Sequence, residues 1–247
     1  MIRQLKWKLQ AALRQRGIDV RKAPAAFEPI PVFRLAVEAL MARRGDGLRF
    51  VQVGANDGLF GDPLRPYILS RGWSGILIEP QIDVFARLKA NYAECADRLV
   101  FENLAISCDD KLTLYLPPAD LAESRLVYAQ SIVSSDPAVI ARQMGIAEAQ
   151  LRRIDVPAMT LNALFEKHAI AALDLLQIDA EGYDWEVLQT LDLGRVAPAI
   201  IQLETGHMGR TDISAMAAHL NQAGYLIYYG GWQGDTLAMR RELFDHA

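Results

Sequence analysis

The stretch "FVQVGANDGLFGDP", Phe50 to Pro63, runs from an apolar strand pattern into a loop carrying Gly54, Asn56, Asp57, Gly58 and Gly61. An apolar run that breaks on glycines is the start of a nucleotide-binding unit in many parallel-sheet proteins. The question is which ligand such a loop would accept. A phosphate-cradling loop needs GxxxxGK followed by Ser or Thr. Here Gly54 and Gly58 are four apart and no lysine occurs between Phe50 and Arg71. The dinucleotide fingerprint GxGxxG is also absent, because Ala55 and Asn56 follow Gly54. The loop carries its own carboxylate, Asp57, which would repel a pyrophosphate and suit an ammonium or sulfonium group instead. Gly54 and Gly58 would permit close backbone approach, although glycine also punctuates ordinary turns.

Outward from this loop the pattern alternates. Strands are predicted at Leu48 to Val53, Gly75 to Ile78, Leu99 to Leu104, Leu173 to Ile178, Ala199 to Leu203, Tyr225 to Tyr229 and Thr236 to Met239. Helices are predicted at Leu64 to Ser70, Ile82 to Ala93, Leu161 to His168, Tyr183 to Leu191 and Ile213 to Ala223, with Thr160 and Thr211 as start signals and Gly224 as a stop. Short apolar strands alternating with amphipathic helices predict an α/β fold, a doubly wound and mostly parallel Rossmann-like sheet of about seven strands. The last two strands follow each other without a helix and predict an antiparallel hairpin at one edge. "KLTLYLPP" alternates at period two and reads as a small added hairpin. Residues 107–151 then form an added hairpin and lid, with a weak helical segment near Pro137 to Met144.

The chain has 247 residues, 51% apolar and 23% charged, enough for one large core. Cys95 and Cys108 are too few for a disulfide framework, and four scattered histidines do not suggest a zinc cluster. No apolar run is long enough to cross a bilayer, and no secretion signal is evident, so a cytoplasmic protein is expected. The net charge of −4 hides a basic start: residues 1–22 carry +6 and the remainder −10. An acidic body argues against nucleic-acid binding. Residues 1–30 read as a basic amphipathic helix from Ile2 to Leu13 followed by a proline-bearing linker, and 31–247 as the main domain. That helix is a candidate for peripheral membrane contact or for a homodimer contact.

The second strand ends in "ILIEP", which places Glu79 about twenty residues after the glycine loop, where a carboxylate can accept hydrogen bonds from ribose hydroxyls. An acid-bearing glycine loop and a ribose-reading acid together fit a nucleoside with a cationic far end, as in S-adenosylmethionine. Asp179 and Glu181 follow the fourth core strand, and Glu204 and His207 the fifth, so the four groups should converge. His207 is the expected general base, with Asp179 and Glu204 beside it. Alternatively, Asp179, Glu181 and Glu204 could hold Mg2+ or another divalent cation, or the acids could simply contact the cofactor and cap a helix. Tyr183, Trp185 and Trp232 could stack on an acceptor, or serve only packing. The lid, including Ser131, would then set acceptor choice.

"VQVGANDG", "LIEPQIDVFARLKANY", "NLAIS", "LDLLQIDAEGYDWEVLQTL" and "IIQLETGH" resemble, in order and spacing, the blocks of FkbM-type S-adenosylmethionine-dependent methyltransferases, from about Arg49 to Gly209. One departure is Gln177, where that family often has a lysine. The resemblance implies a class I methyltransferase fold and O-methylation, frequently of a sugar hydroxyl in a glycan or a glycosylated natural product. It implies further that Gly54, Ala55, Asn56 and Gly58 line the methionine part of the cofactor, with Asp57 nearby. Glu79 would then hold the ribose, Pro80 would pack by the adenine, and Asn103 and Ala105 would lie beside that ring, with Asp179 and Glu181 also at the cofactor. Two rival expectations are a nicotinamide oxidoreductase, which should show GxGxxG, and a catalytically silent interaction module on the same fold.

Overall fold

The computed structural model describes residues 31–59, 61–118, 133–230 and 235–244. The expected N-terminal helix, Ser131 and Trp232 lie outside these residues.

The first strand, β1 (Arg49–Val53), is buried along four of its five residues, which a strand can be only when covered on both faces. It pairs in parallel with β2 (Ser74–Ile78) on one side and with β7 (Leu175–Ile178) on the other. Beyond β2 lies β3 (Leu99–Glu102), and beyond β7 lies β8 (Ile200–Leu203), both parallel to their neighbours. The antiparallel pair β9 (Tyr225–Tyr228) and β10 (Thr236–Arg240) completes a seven-stranded sheet of order β3-β2-β1-β7-β8-β10-β9. The seven strands predicted for the core are these. The expected hairpin exists, but its second strand is not at the edge. β10 is inserted between β8 and β9, because the chain crosses to the far edge through a helix before turning back.

The helices that alternate with these strands are α1 (Val32–Arg44), α2 (Arg65–Arg71), α3 (Ile82–Asn91), α4 (Pro137–Met144), α5 (Leu161–Lys167), α6 (Asp184–Gln189) and α7 (Arg210–Gln222). The sequence pattern had not suggested α1. It buries Val37, Leu40 and Met41, spaced three and four apart on one face, and ends on Arg43 and Arg44, where cations favour the helix dipole. Thr160 caps α5 as expected, its hydroxyl accepting from Ala163 N–H at 3.0 Å. Thr211 does not cap α7, because that helix starts earlier, with Gly209 as its cap residue. Gly224 follows α7 with φ +85°, as a helix-terminating glycine should.

Residues 105–159 depart most from expectation. β5 (Lys111–Leu116) does not pair with a neighbour in sequence. Its partner is β6 (Arg152–Met159), antiparallel from Lys111 opposite Pro157 to Leu116 opposite Arg152. The short β4 (Ala105–Ile106) runs parallel to the other end of β6, giving a second sheet of order β4-β6-β5. β6 carries two arginines, an aspartate and a proline, and only Val156 is buried, so it lacks the apolar run that marks the core strands. Helix α4 forms where a weak helix was expected. Asp136 accepts from Ala138 N–H at 2.8 Å, Pro137 follows, and Gly145 closes the helix at φ +67°.

No helix among the described residues is long and apolar enough to cross a membrane.

Candidate functional site

The parallel core places a row of acids at one rim of the sheet, each one residue past its strand and held in register by its own backbone. Glu79 N–H donates to Glu102 O at 3.1 Å, Asp179 N–H to Val53 O at 3.0 Å, and Glu204 N–H to Ile178 O at 3.1 Å. A cavity of about 240 Å³ opens in front of this row. Its described lining includes five acids, Asp62, Glu79, Asp179, Glu181 and Glu204, and neither lysine nor arginine.

The glycine turn closes the cavity from β1. Gly54 and Ala55 both donate to Ile78 O, at 3.0 and 2.9 Å, which ties the turn to the end of β2. Gly54 has φ +77°, and a Cβ there would lie 1.9 Å from Asp179 O, so glycine is required by the approach of two backbones. Gly54, Ala55 and Asn56 line the cavity. Asp57 and Gly58 do not. Asp57 Oδ1 accepts from Leu59 N–H at 2.9 Å, and a Cβ at Gly58 would meet the Tyr92 ring at 2.4 Å. The carboxylate that does reach the cavity is Asp62, which accepts from Gln52 Nε2, Leu64 N–H, Arg65 N–H and the Tyr92 hydroxyl. Burial raises its pKa, and these four donors oppose the rise.

At the end of β2, Glu79 is buried and both its oxygens accept backbone N–H groups, Oε2 from Asn56 at 3.1 Å and Oε1 from Gln81 at 2.8 Å. Burial pushes its pKa up to about 7 despite these bonds. Pro80 and Ala105 line the cavity, whereas Asn103 does not. The Asn103 amide donates instead to Glu79 O and Pro80 O, at 2.8 and 3.0 Å, and so braces the turn that presents them.

The other half of the cavity is strongly acidic. Burial, then the charges of Glu181 and Asp235, push Asp179 up to about 7. Burial, then Asp179, Glu181 and Asp235, push Glu204 up to about 8. Glu204 Oε2 is buried without a hydrogen-bond partner among the described residues. Fully buried Asp184 is raised further by burial and by Asp179 and Glu204, against which Ala180 and Gly182 N–H groups donate. Glu181 sits at φ +49°, next to Gly182 at φ +98°, and its carbonyl accepts from the Ser134 hydroxyl at 2.7 Å. This bond joins the rim to the segment leading into α4.

His207 stands just behind the lining. Its Nε2 is 3.4 Å from Glu181 Oε2, 3.5 Å from Glu204 Oε1 and 2.9 Å from Gln143 Nε2 of α4, which also donates to Glu181 Oε2 at 3.0 Å. Glu181, Glu204 and His207 are close enough to share a cation. Asp179, expected in such a set, is not part of that cluster; His207 takes its place. Tyr183 lines the cavity, and its hydroxyl lies 3.4 Å from Ser107 Oγ. Trp185 instead packs edge-on against His219 and on the core. Asp62, Gln143 and Asp184 were not singled out from sequence. Only Asp184, as an acid opening a helix after a strand-end Glu-Gly, left a visible signal.

A doubly wound sheet with its cavity at the carboxyl ends of the parallel strands and an antiparallel pair at one side is the class I methyltransferase architecture. Residues 52–227 match the model of the FkbM methyltransferase domain, and the chain belongs to that family. Among solved structures, it is similar to the methyltransferase FkbM from Methylobacillus flagellatus KT, at 14% identity and a TM-score of 0.49 over 78% of this chain. The chain spans 44% of that protein's length. It also aligns with the N-terminal domain of human METTL16 in complex with SAH (14% identity, 94% of this chain and 79% of that one, TM-score 0.43). A third alignment is with the precorrin-6y C5,15-methyltransferase from Geobacter metallireducens GS-15 (11% identity, 89% and 93%, TM-score 0.42). No curated protein matches the chain.

Proposed function

We propose that the protein is an S-adenosylmethionine-dependent O-methyltransferase whose acceptor is a hydroxyl of a sugar, in a glycan or a glycosylated small molecule. The observation that carries this reading is the row of Glu79, Asp179 and Glu204 in register along the rim of one cavity whose described charged lining residues are all acids. A permanently cationic nucleoside balances that charge, whereas a nicotinamide pyrophosphate would add to it.

In this reading Glu79, already oriented by two N–H donors, takes the ribose hydroxyls. Pro80 and Ala105 flank the adenine. The Gly54 to Asn56 turn and Asp179 surround the methionine end. The cofactor supplies a sulfonium leaving group, and the protein aligns an acceptor oxygen in line with it and removes its proton. Glu204 is the group that faces the acceptor, with an unpaired oxygen and a pKa near neutrality, suited to a general base. His207 Nε2, 3.5 Å behind it, receives the proton. The expected base thus becomes the second member of a relay. Tyr183 contributes to the acceptor wall. The affinity of Glu181, Glu204 and His207 for a divalent cation is a separate matter, tested by turnover after chelation and after adding Mg2+ back.

The direct experiment is calorimetric titration with S-adenosylmethionine, followed by a methyl-transfer assay on a panel of glycosides. Binding without transfer to any hydroxyl, or binding of NAD in place of the sulfonium nucleoside, would overturn the proposal.

A further inference from the structure

Gln52, Gln177 and Gln202 stand side by side on β1, β7 and β8, in register across adjacent parallel strands, so their side chains share one face of the sheet. All three are at least 95% buried, at 2%, 5% and 4% exposure. Each has an Oε1 with no hydrogen-bond partner among the described residues. Three unpaired amide oxygens in one row are unusual, because a buried acceptor without a donor loses its hydration and regains nothing.

The orientation of two of these amides is set by chemistry. Gln52 Nε2 donates to Asp62 Oδ1 at 3.1 Å, and Gln202 Nε2 donates to Asp235 Oδ2. A carboxylate accepts only from the NH2 end, so both carbonyl oxygens must face away from their aspartates. Gln52 and Gln177 belong to the cavity wall, where the glycine turn, Asp62 and Asp179 also meet. The wall at this point offers acceptors and negative charge. It offers no described lysine or arginine. The complementary ligand group has several N–H donors, no acceptor and a positive charge, which describes a primary ammonium.

We propose that Gln52 and Gln177 form the binding site for the α-ammonium of the cofactor's amino-acid moiety, with Asp62 as the neighbouring counter-charge. This rests on the S-adenosylmethionine reading above and assigns Gln177, whose role the sequence left open. Gln202, the third rung, packs beside Gln177 and is held by Asp235. A bound ammonium would supply the donors that the two wall amides lack among the described residues.

The test compares S-adenosylhomocysteine with its desamino analogue, which lacks only the α-amine, by calorimetry on the wild-type chain and on Gln177→Met and Gln52→Met. The wild type should prefer the amine-bearing ligand by about tenfold or more, the order expected of hydrogen bonds to a charged group. Each variant should lose about tenfold for S-adenosylhomocysteine and change less than about twofold for the desamino analogue. Ligand-free Gln177→Met should also melt at the same or a higher temperature, since an unpaired buried oxygen has been removed, whereas Gln52→Met should melt lower because it also takes a donor from Asp62. Two near-isosteric variants guard against one failing to fold. Equal losses for both ligands, or altered melting with unchanged affinity, as when an ordered water satisfies the glutamines, would overturn the ammonium site. A wild type that binds S-adenosylhomocysteine but does not distinguish the analogue removes this proposal alone. A wild type that binds neither removes the cofactor reading with it.

Discussion

The two halves of the cavity bury similar chemistry in opposite ways. On the β1–β2 side, Glu79 is buried with both oxygens bonded to backbone N–H groups, and Asn103 braces its turn. On the β7–β8 side, Glu204 is partly buried with its inward oxygen unpaired among the described residues, and Asp179, Glu181 and Asp235 raise its pKa rather than lower it. Both carboxyls are pushed up by burial, Glu79 to about 7 and Glu204 to about 8. Only one of them is satisfied. A satisfied buried acid holds a shape, and an unsatisfied one is available for proton transfer.

The sharpest way to break this contrast is Glu204→Gln, which keeps the shape and removes the base. Turnover should fall by about 10²- to 10⁴-fold, while S-adenosylmethionine affinity, read by calorimetry, stays within about threefold. Comparable losses in both would show that the β7–β8 side holds the cofactor instead of reacting. Next in size is Gly54→Ala, at the seam between the halves. Its Cβ would lie 1.9 Å from Asp179 O on a backbone at φ +77°, so urea unfolding should show a loss of about 3 kcal/mol. A near-neutral result would mean that the two turns can separate freely.

Glu79→Gln should weaken cofactor binding by about tenfold, since one of two acceptors for Asn56 and Gln81 becomes an NH2 group. Turnover at saturating cofactor should change little, the reverse of the Glu204 result. The smallest effect is on pH dependence. Glu79, Asp179 and Glu204 hold protons in the folded chain that the unfolded chain releases near its ordinary carboxylate pKa. Their stabilising contribution is complete below about pH 4 and is lost as pH rises through about 7 to 8. The ligand-free protein should therefore melt several degrees lower at pH 9 than at pH 5.5, and Glu204→Gln should flatten that slope. A melting temperature that climbs with pH would contradict the raised pKa values of these acids.

The same division explains what could be read from the sequence. Near-continuous apolar runs such as "LLQI" and "IIQL" mark strands covered on both faces, and an acid just past each run is visible without coordinates. Parallel register then brings those acids together. β6 escaped because only Val156 of its eight residues is buried and its partner lies across residues 117–151. Asp57 drew attention by position in the glycine loop, yet Asp62 reaches the cavity, a distinction that depends on the turn conformation around Asn56 at φ +50°. Gln143 acts through a contact 64 residues away in sequence, which no local pattern encodes. The glutamine row was hidden for a related reason. Its members look like isolated polar interruptions until the strands are placed side by side.

The position of β10 also constrains how the protein is made. Because this strand is wedged between β8 and β9, neither can complete its backbone pairing until residue 240 has left the ribosome. In the late stretch of synthesis between the emergence of β8 and that of β10, β8 would be an open strand edge, the kind of surface that attracts other chains. Nascent chains stalled before Thr236 should accordingly remain sensitive to protease and associate with chaperones, and released chains carrying the whole of β10 should not.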